Sequence, residues 1–78
     1  MLMAKKLLEE IIMKISYDKL WKLLIDRKMN KTQLRIKSGI SSNSLAKLGK
    51  NEAVNLEVLL KICSYLKCAI EDVVEFIN

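Results

Sequence analysis

Four consecutive polar residues, Ser41-Ser42-Asn43-Ser44, stand between the apolar residues Ile40 and Leu45. Serine and asparagine compete with the hydrogen bonds of a helix interior, so they are poor residues there, and a run of them at the front of a helix raises the question of another purpose. Their hydroxyl and amide groups both donate and accept hydrogen bonds. The cluster therefore indicates a surface that meets a partner rich in hydrogen-bonding groups.

The charge of the chain is distributed unevenly along its length. The net charge is +5 over 78 residues. Residues 16–51 carry nine Lys or Arg against two acids, a balance of +7, and the first fifteen residues add +1. Residues 52–78 carry two Lys against five acids, a balance of −3. This division favours an anionic partner for the middle of the chain, although a solvated basic surface has the same composition.

The residue types that most often perform catalysis or hold metals are scarce. Histidine is absent, which removes the commonest general base and metal ligand. The two cysteines, Cys63 and Cys68, have no further ligands nearby, and we expect reduced thiols that act as small hydrophobes. Tyr17 has no base to activate it as a nucleophile. We expect no enzyme, no metal, no cofactor and no small-molecule ligand.

Length and composition indicate one small helical domain. The chain has 78 residues, 51% of them hydrophobic, with two glycines and no proline, and so few breakers favour helices with short joints. Charged residues interrupt every apolar run near the start, including Lys5, Lys6, Glu9 and Glu10. Neither a signal peptide nor a membrane span is expected, and the sequence predicts a soluble, cytoplasmic protein.

Apolar residues recur at helical spacing in five segments after residue 15. The predicted helices cover residues 17–28, 31–37, 42–49, 56–66 and 70–77. Side chains suited to N-caps precede the first four, namely Ser16, Asn30, Ser41 and Asn55, whereas Ala69 is a poor cap for the fifth. Trp21 falls on the apolar stripe of the first helix and is expected to pack in the core.

The first fifteen residues form a separate amphipathic segment, so we divide the chain into an extension over 1–15 and a domain over 16–78. Leu8, Ile11, Ile12 and Ile15 lie on one predicted helical face. Two interpretations remain open. Translation starts at Met13 and the preceding twelve residues are an extension, or the segment is an arm that pairs with a second subunit.

The segment from Lys31 to Leu48 has the pattern of a helix, a tight turn and a second helix, with Gly39 in the turn. In a helix-turn-helix unit the first helix crosses the DNA backbone, and the N-terminal residues of the second meet base edges in the major groove. Polar side chains on the outer face of the second helix are the residue types that this geometry requires.

Residues 17–77 resemble the lambda-repressor-like (Cro/CI-type, XRE) helix-turn-helix family. The similarity lies in "NKTQLRIKSGISSNSLAKL" and "NLEVLLKICSYLKCAIEDVVEF". The family's apolar anchors and turn glycine fall on Leu34, Gly39, Ile40, Leu45 and Leu48. The resemblance implies an all-α, five-helix DNA-binding domain that acts as a sequence-specific transcriptional regulator, by analogy a repressor. A protein-interaction or antitoxin-like module is the alternative.

The resemblance also implies roles for individual residues. Positions that face bases fall on Ser42, Asn43, Ser44 and Lys47. Positions near phosphates are expected at Asn30, Lys31, Ser41, Lys37 and Lys50. Asparagine can pair bidentately with adenine, and lysine can reach guanine acceptors or a phosphate. The partner implied is double-stranded DNA.

Three positions depart from the family pattern. Arg35 stands where the family usually has alanine at a close contact of two helices, Leu24 replaces a frequent arginine, and Lys31 replaces the usual glutamine. We expect the aliphatic stem of Arg35 to lie along the surface.

A homodimer on DNA is expected, because one short recognition helix reads only a few base pairs. Two surfaces are candidates for the contact. The C-terminal helix, with Val73, Val74, Phe76 and Ile77, is favoured over the N-terminal apolar stripe.

Overall fold

The computed structural model describes residues 15–77, which form four α-helices, one short 3-10 helix and two short strands. The helices are α1 (Asp18–Asp26), α2 (Lys31–Ser38), α3 (Ser42–Gly49) and α4 (Leu56–Leu66), and the 3-10 helix is Ile70–Asp72. The strands are β1 (Ile15–Ser16) and β2 (Glu75–Phe76). The all-α class is confirmed, whereas the helical stripe predicted before residue 15 lies outside the described residues. None of the helices between residues 15 and 77 is long and apolar enough to cross a membrane.

Three of the predicted N-caps are confirmed, and they explain where α2, α3 and α4 begin. Asn30 Oδ1 accepts from Gln33 N at 2.7 Å, while Gln33 Oε1 accepts from Asn30 N at 2.9 Å. Ser41 Oγ accepts from Ser44 N at 3.0 Å, and Asn55 Oδ1 accepts from Val58 N at 3.0 Å. Each cap satisfies a backbone N–H that has no partner inside its helix.

The prediction that Ser16 caps the first helix is wrong in its geometry. Tyr17 occupies the N-cap position of α1 and makes no side-chain cap, because Ser16 belongs to β1 and pairs there with Glu75. The Ser16 hydroxyl still accepts a hydrogen bond from Asp18 N at 3.2 Å. Helix α1 ends at Asp26, before the predicted end at residue 28, and Lys28 adopts a left-handed φ of 55°.

The predicted fifth helix over 70–77 is also wrong beyond its first turn. A 3-10 turn covers Ile70–Asp72, and the chain then runs as β2, antiparallel to β1, with Ile15 opposite Phe76. Ala69 offers no side-chain cap, and instead Asp72 Oδ2 accepts the N–H of Ala69 at 3.0 Å. The β-branched Val74, which directly precedes β2, favours extended backbone, and pairing with β1 satisfies backbone groups of β2.

The core is built from apolar residues of the four α-helices and of the segments that adjoin them. Its buried members are Tyr17, Leu20, Leu24, Leu34, Ile40, Leu48, Val58, Ile62, Leu66 and Val73. Helix α4 packs against α2, and the 3-10 helix packs against α1 and α4. Trp21 is half-buried against this core, which agrees with its predicted packing role.

Long-range polar contacts fasten both ends of α1 to the rest of the domain. The buried Tyr17 hydroxyl donates to Glu52 O at 2.7 Å, which ties the loop after α3 to the start of α1. Burial raises the pKa of Tyr17, against a smaller opposing effect of a hydrogen bond with the Val54 backbone, so the hydroxyl stays a donor. At the other end of α1, the Arg27 guanidinium donates to Leu66 O and covers a C-terminal carbonyl of α4.

Candidate nucleic-acid interface

The N-terminus of α3 separates polar residues that hold the fold from polar residues that face solvent. The Ser41 hydroxyl accepts from Ser44 N and donates to Ser44 Oγ, both at 3.0 Å. Its donor is therefore used inside the cap. Ser42 and Asn43 are exposed, and no hydrogen bond within residues 15–77 engages either side chain. Ser44 is half-buried, and its hydroxyl proton remains available to a partner.

The apolar anchors of α3 determine which side chains point outward. Leu48 is fully buried and Leu45 is half-buried against the core. Residues four apart on a helix share a face, so Asn43 and Lys47 lie one above the other on the side away from these leucines. Both are exposed. Together with Ser42 they form the outward surface of α3.

The N-terminus of α2 presents a second polar group. The Asn30 oxygen is occupied by the cap, which leaves its amide N–H groups free to donate. The Lys31 ammonium lies 4.3 Å from the centroid of the Trp21 ring. A cation over an aromatic face is attracted by the ring quadrupole, so Trp21 holds Lys31 at this end of α2. Sequence reasoning missed this contact, since the two residues lie on different helices and share no helical periodicity.

The remaining predicted phosphate contacts are less close together. Lys50 follows α3 directly, and its backbone N–H donates to Lys47 O at 3.1 Å. Lys37 lies at the C-terminal end of α2, beside an open cavity that it shares with Glu57 and Tyr65 of α4. Six residues of helix rise separate Lys37 from Lys31, about 9 Å. The backbone contact thus keeps Lys50 beside Lys47, and Lys37 lies at the other end of α2 from Lys31.

The cations of this surface are available to an anionic partner. The ion pair that the structure shows within residues 15–77 joins Lys61 to Glu57 at 3.4 Å, on α4. Lys31, Lys47 and Lys50 are exposed and take no part in it. Arg35 is half-buried, which agrees with a stem that lies along the surface. The described residues contain no group of three His, Cys, Asp or Glu side chains that could hold a metal ion.

The arrangement of a capped α2, a left-handed Gly39 with φ 82° and a polar-faced α3 is a helix-turn-helix. The family model of the Cro/C1-type HTH DNA-binding domain matches residues 19–78. The chain belongs to this family. The resemblance seen in the sequence is confirmed, and so is the helix-turn-helix between Lys31 and Gly49.

A solved structure agrees with this family membership. The chain is similar to the protein in "Crystal structure of transcriptional regulator VanUg, Form II", with 55% sequence identity and a TM-score of 0.80. The match covers 83% of this chain and 87% of that one. No curated protein matches this member of the Cro/C1-type family.

The cap at the front of α3 yields a prediction that separates folding from binding. Ser41→Ala should lower the free energy of unfolding by about 1 kcal/mol, because the N–H of Ser44 loses its acceptor. Ser41→Asn should restore most of the loss. Ser42→Ala, one residue on and exposed, should change it by less than about 0.5 kcal/mol. Urea unfolding followed by circular dichroism measures all three, and equal losses for Ser41→Ala and Ser42→Ala would contradict the assignment.

Proposed function

We propose that this Cro/C1-type domain is a sequence-specific double-stranded-DNA-binding transcriptional regulator, with α3 as the recognition helix in the major groove. The observation that carries the proposal is the outward surface of α3, where Ser42, Asn43 and Lys47 are exposed beside buried leucine anchors. The described similarity to a transcriptional regulator supports regulation. We assign the role of a repressor, because a small domain on a promoter excludes other proteins from that site.

Base recognition is assigned to four residues of α3, namely Ser42, Asn43, Ser44 and Lys47. The Asn43 amide can donate to and accept from adenine at once, which makes it the main determinant of sequence. Lys47, one turn later, reaches guanine acceptors or a phosphate. Ser42 and Ser44 donate to or accept from several base edges, Ser44 with the hydroxyl proton that its cap contact leaves free.

Phosphate contacts are assigned to the helix N-termini and the surrounding lysines. The Asn30 amide and the Lys31 ammonium, held by Trp21, stand where the N-terminal end of α2 favours an anion. Lys50 adds a contact after α3, and Lys37 adds a more distant one. Ser41 acts by fixing the N-terminus of α3, since its hydroxyl is already used.

The proposed working unit is the domain over residues 16–78, preceded by the extension over 1–15. A regulator that binds DNA must be in the same compartment as the DNA, and we propose that this protein is located in the cytoplasm. The antitoxin-like or protein-interaction alternative has one observation in its favour. The apolar side chains of Ile36, Leu56 and Leu60 are 61%, 60% and 56% exposed, and a protein partner could cover them.

The DNA proposal predicts affinity that falls steeply with salt. If roughly three to five phosphates are neutralised per subunit, log affinity should fall against log salt with a slope of about −3 to −4.5. Anisotropy titrations of a labelled duplex at several salt concentrations measure the slope. Lys47→Ala should flatten it by about one. The control Lys61→Ala, whose charge is paired with Glu57, should change it far less. Absence of binding at low salt would refute the proposal and favour the protein-interaction alternative.

The roles assigned to Asn43 and Lys31 predict opposite effects on specificity. Selection of bound sequences from random duplex DNA first supplies the preferred site. Asn43→Ala should lose about 1–3 kcal/mol of binding free energy on that site, because a base contact is lost. On random DNA it should lose very little. Lys31→Ala should weaken binding to both about equally, because a phosphate contact carries no sequence information. If Asn43→Ala binds the preferred site as tightly as the parent does, the assignment of α3 to the major groove is wrong.

We also propose that two copies bind one operator. The C-terminal surface differs from the helix that was predicted there, since Val73 is buried and β2 replaces the helix. Phe76 and Ile77 remain 69% and 49% exposed, and they are the side chains at this end that a second copy could cover. The competing N-terminal stripe of Leu8, Ile11 and Ile12 lies outside the described residues.

The dimer predicts two chains per operator, with half-sites about 34 Å apart. Sedimentation of the complex on a palindromic duplex counts the chains, and a strict 1:1 complex would refute the dimer. Phe76→Ser should weaken pairing without unfolding the domain, because this side chain is largely exposed. Deletion of residues 1–12 discriminates between the surfaces, since pairing that is lost with the deletion and kept in Phe76→Ser belongs to the N-terminal stripe.

A further inference from the structure

At the end of α4, a backbone hydrogen bond joins two cysteines, Cys63 and Cys68. Lys67 adopts the left-handed conformation, with φ 54° and ψ 51°, and its N–H donates to Cys63 O. The N–H of Cys68 donates to the same carbonyl at 3.1 Å. A hydrogen bond from the second residue after a helix to the carbonyl five residues earlier is the mark of a Schellman ending.

An apolar contact between the side chains at these two bonded positions frequently accompanies a Schellman ending. Here both positions are cysteine, and both thiols are free and half-buried. Burial first, and then the neighbouring thiol of Cys68, raise the pKa of Cys63 to about 11. The Cys68 thiol thus influences Cys63, in agreement with the backbone geometry that holds the two residues at the same helix end. The expected role of small hydrophobes describes the reduced state of this pair.

One of the two thiols is open to small molecules. Cys68 lines an open cavity of about 490 Å³ between α1 and the end of α4, and Cys63 does not line it. Lys22, Arg27 and Lys67 line the same cavity. A solute the size of a peroxide can thus approach Cys68 through this cavity.

We propose that Cys63 and Cys68 are an oxidisable dithiol, in which the Cys68 sulfur attacks a small peroxide that enters through the cavity and Cys63 then closes an intramolecular disulfide. In the first step the Cys68 sulfur takes one oxygen of hydrogen peroxide, the O–O bond breaks, and water leaves. In the second step the Cys63 sulfur attacks the sulfenic sulfur of Cys68. The S–O bond breaks, and the hydroxide leaves as water with the Cys63 proton. Two thiols and one peroxide thus yield one disulfide and two waters.

The order of the two steps follows from the environments of the sulfurs. The thiolate is the nucleophile, and the raised pKa of Cys63 keeps that group protonated at neutral pH. Oxidation of Cys68 to its sulfenic acid supplies the electrophilic sulfur that Cys63 then attacks. Cys63 is then the resolving residue. Its short path to Cys68 across the helix end favours closure within one chain over linkage between chains.

The sequence offers a direct assay, because trypsin cleaves after Lys61 and Lys67 and so separates the two cysteines. The reduced full chain is treated with hydrogen peroxide at neutral pH, alkylated with iodoacetamide and digested. We expect a monomer that has lost two hydrogens and resists alkylation, and whose peptides 62–67 and 68–78 are joined until a reductant is added. Cys63→Ala should instead leave a sulfenic acid on Cys68 that dimedone traps, and Cys68→Ala should react more slowly than Cys63→Ala.

Variants at Lys67 test whether the rate of oxidation depends on the left-handed ending of α4. Lys67→Gly keeps the left-handed ending and should oxidise at least as fast as the parent, whereas Lys67→Val disfavours that conformation and should oxidise more slowly. The parent in urea should lose the advantage over Lys67→Val. Free thiols after peroxide treatment, a linkage only between chains, or equal rates for the two Lys67 variants would overturn the proposal. A thermal midpoint of the oxidised chain below that of the reduced chain would also overturn it, because the disulfide would then distort the native ending.

Discussion

Burial of three apolar side chains around one turn determines the geometry on which the domain's surface depends. Leu34 of α2, Ile40 after Gly39 and Leu48 of α3 are buried in one core cluster. Each such side chain contributes about 1.5–3 kcal/mol when it leaves water, which is a large share of a small domain's stability. Because they lie on facing sides of α2 and α3, they hold the two helices at one angle. The polar face of α3 is then turned outward as a rigid unit.

Hydrogen bonding divides the polar residues of this surface into two groups. Asn30 and Ser41 satisfy backbone N–H groups at the starts of α2 and α3, and the fold needs them there. The side chains of Ser42 and Asn43 are exposed, and they make no hydrogen bond within the described residues. A side chain that the fold does not use, on a helix that the core holds firmly, is suited to recognition, because little ordering remains to be done on binding.

The opposite end of the domain depends on contacts between segments far apart in the chain. Strand β1 pairs with β2 across some sixty positions, and Arg27 covers the last carbonyl of α4. The left-handed Lys67 turns the chain from α4 toward the 3-10 helix and thereby sets Cys63 against Cys68. The segment that closes the fold is therefore also the place where its thiols meet. Recognition and thiol chemistry are assigned to different ends of the same small core.

The residue sequence alone predicted α2, the turn, α3 and α4 to within a residue, because their signals are local. Asn30, Ser41 and Asn55 are caps that bond residues three positions later, and Gly39 supplies the left-handed turn without help from elsewhere. The exposed face of α3 followed from the same periodicity, since burial of Leu48 on one side leaves the other side to solvent. The candidate base-contacting residues were accessible to sequence reasoning for that reason.

Tertiary structure decided the features that depend on partners distant in sequence. The segment after Ala69 has helical apolar spacing, yet after one 3-10 turn its residues Glu75 and Phe76 pair as a strand with residues 15 and 16, and no local pattern encodes that pairing. The contact of Lys31 with Trp21 depends on the angle between two helices. Local hydrogen bonds can be read from neighbouring residues, whereas these contacts exist only once the core has brought the segments together.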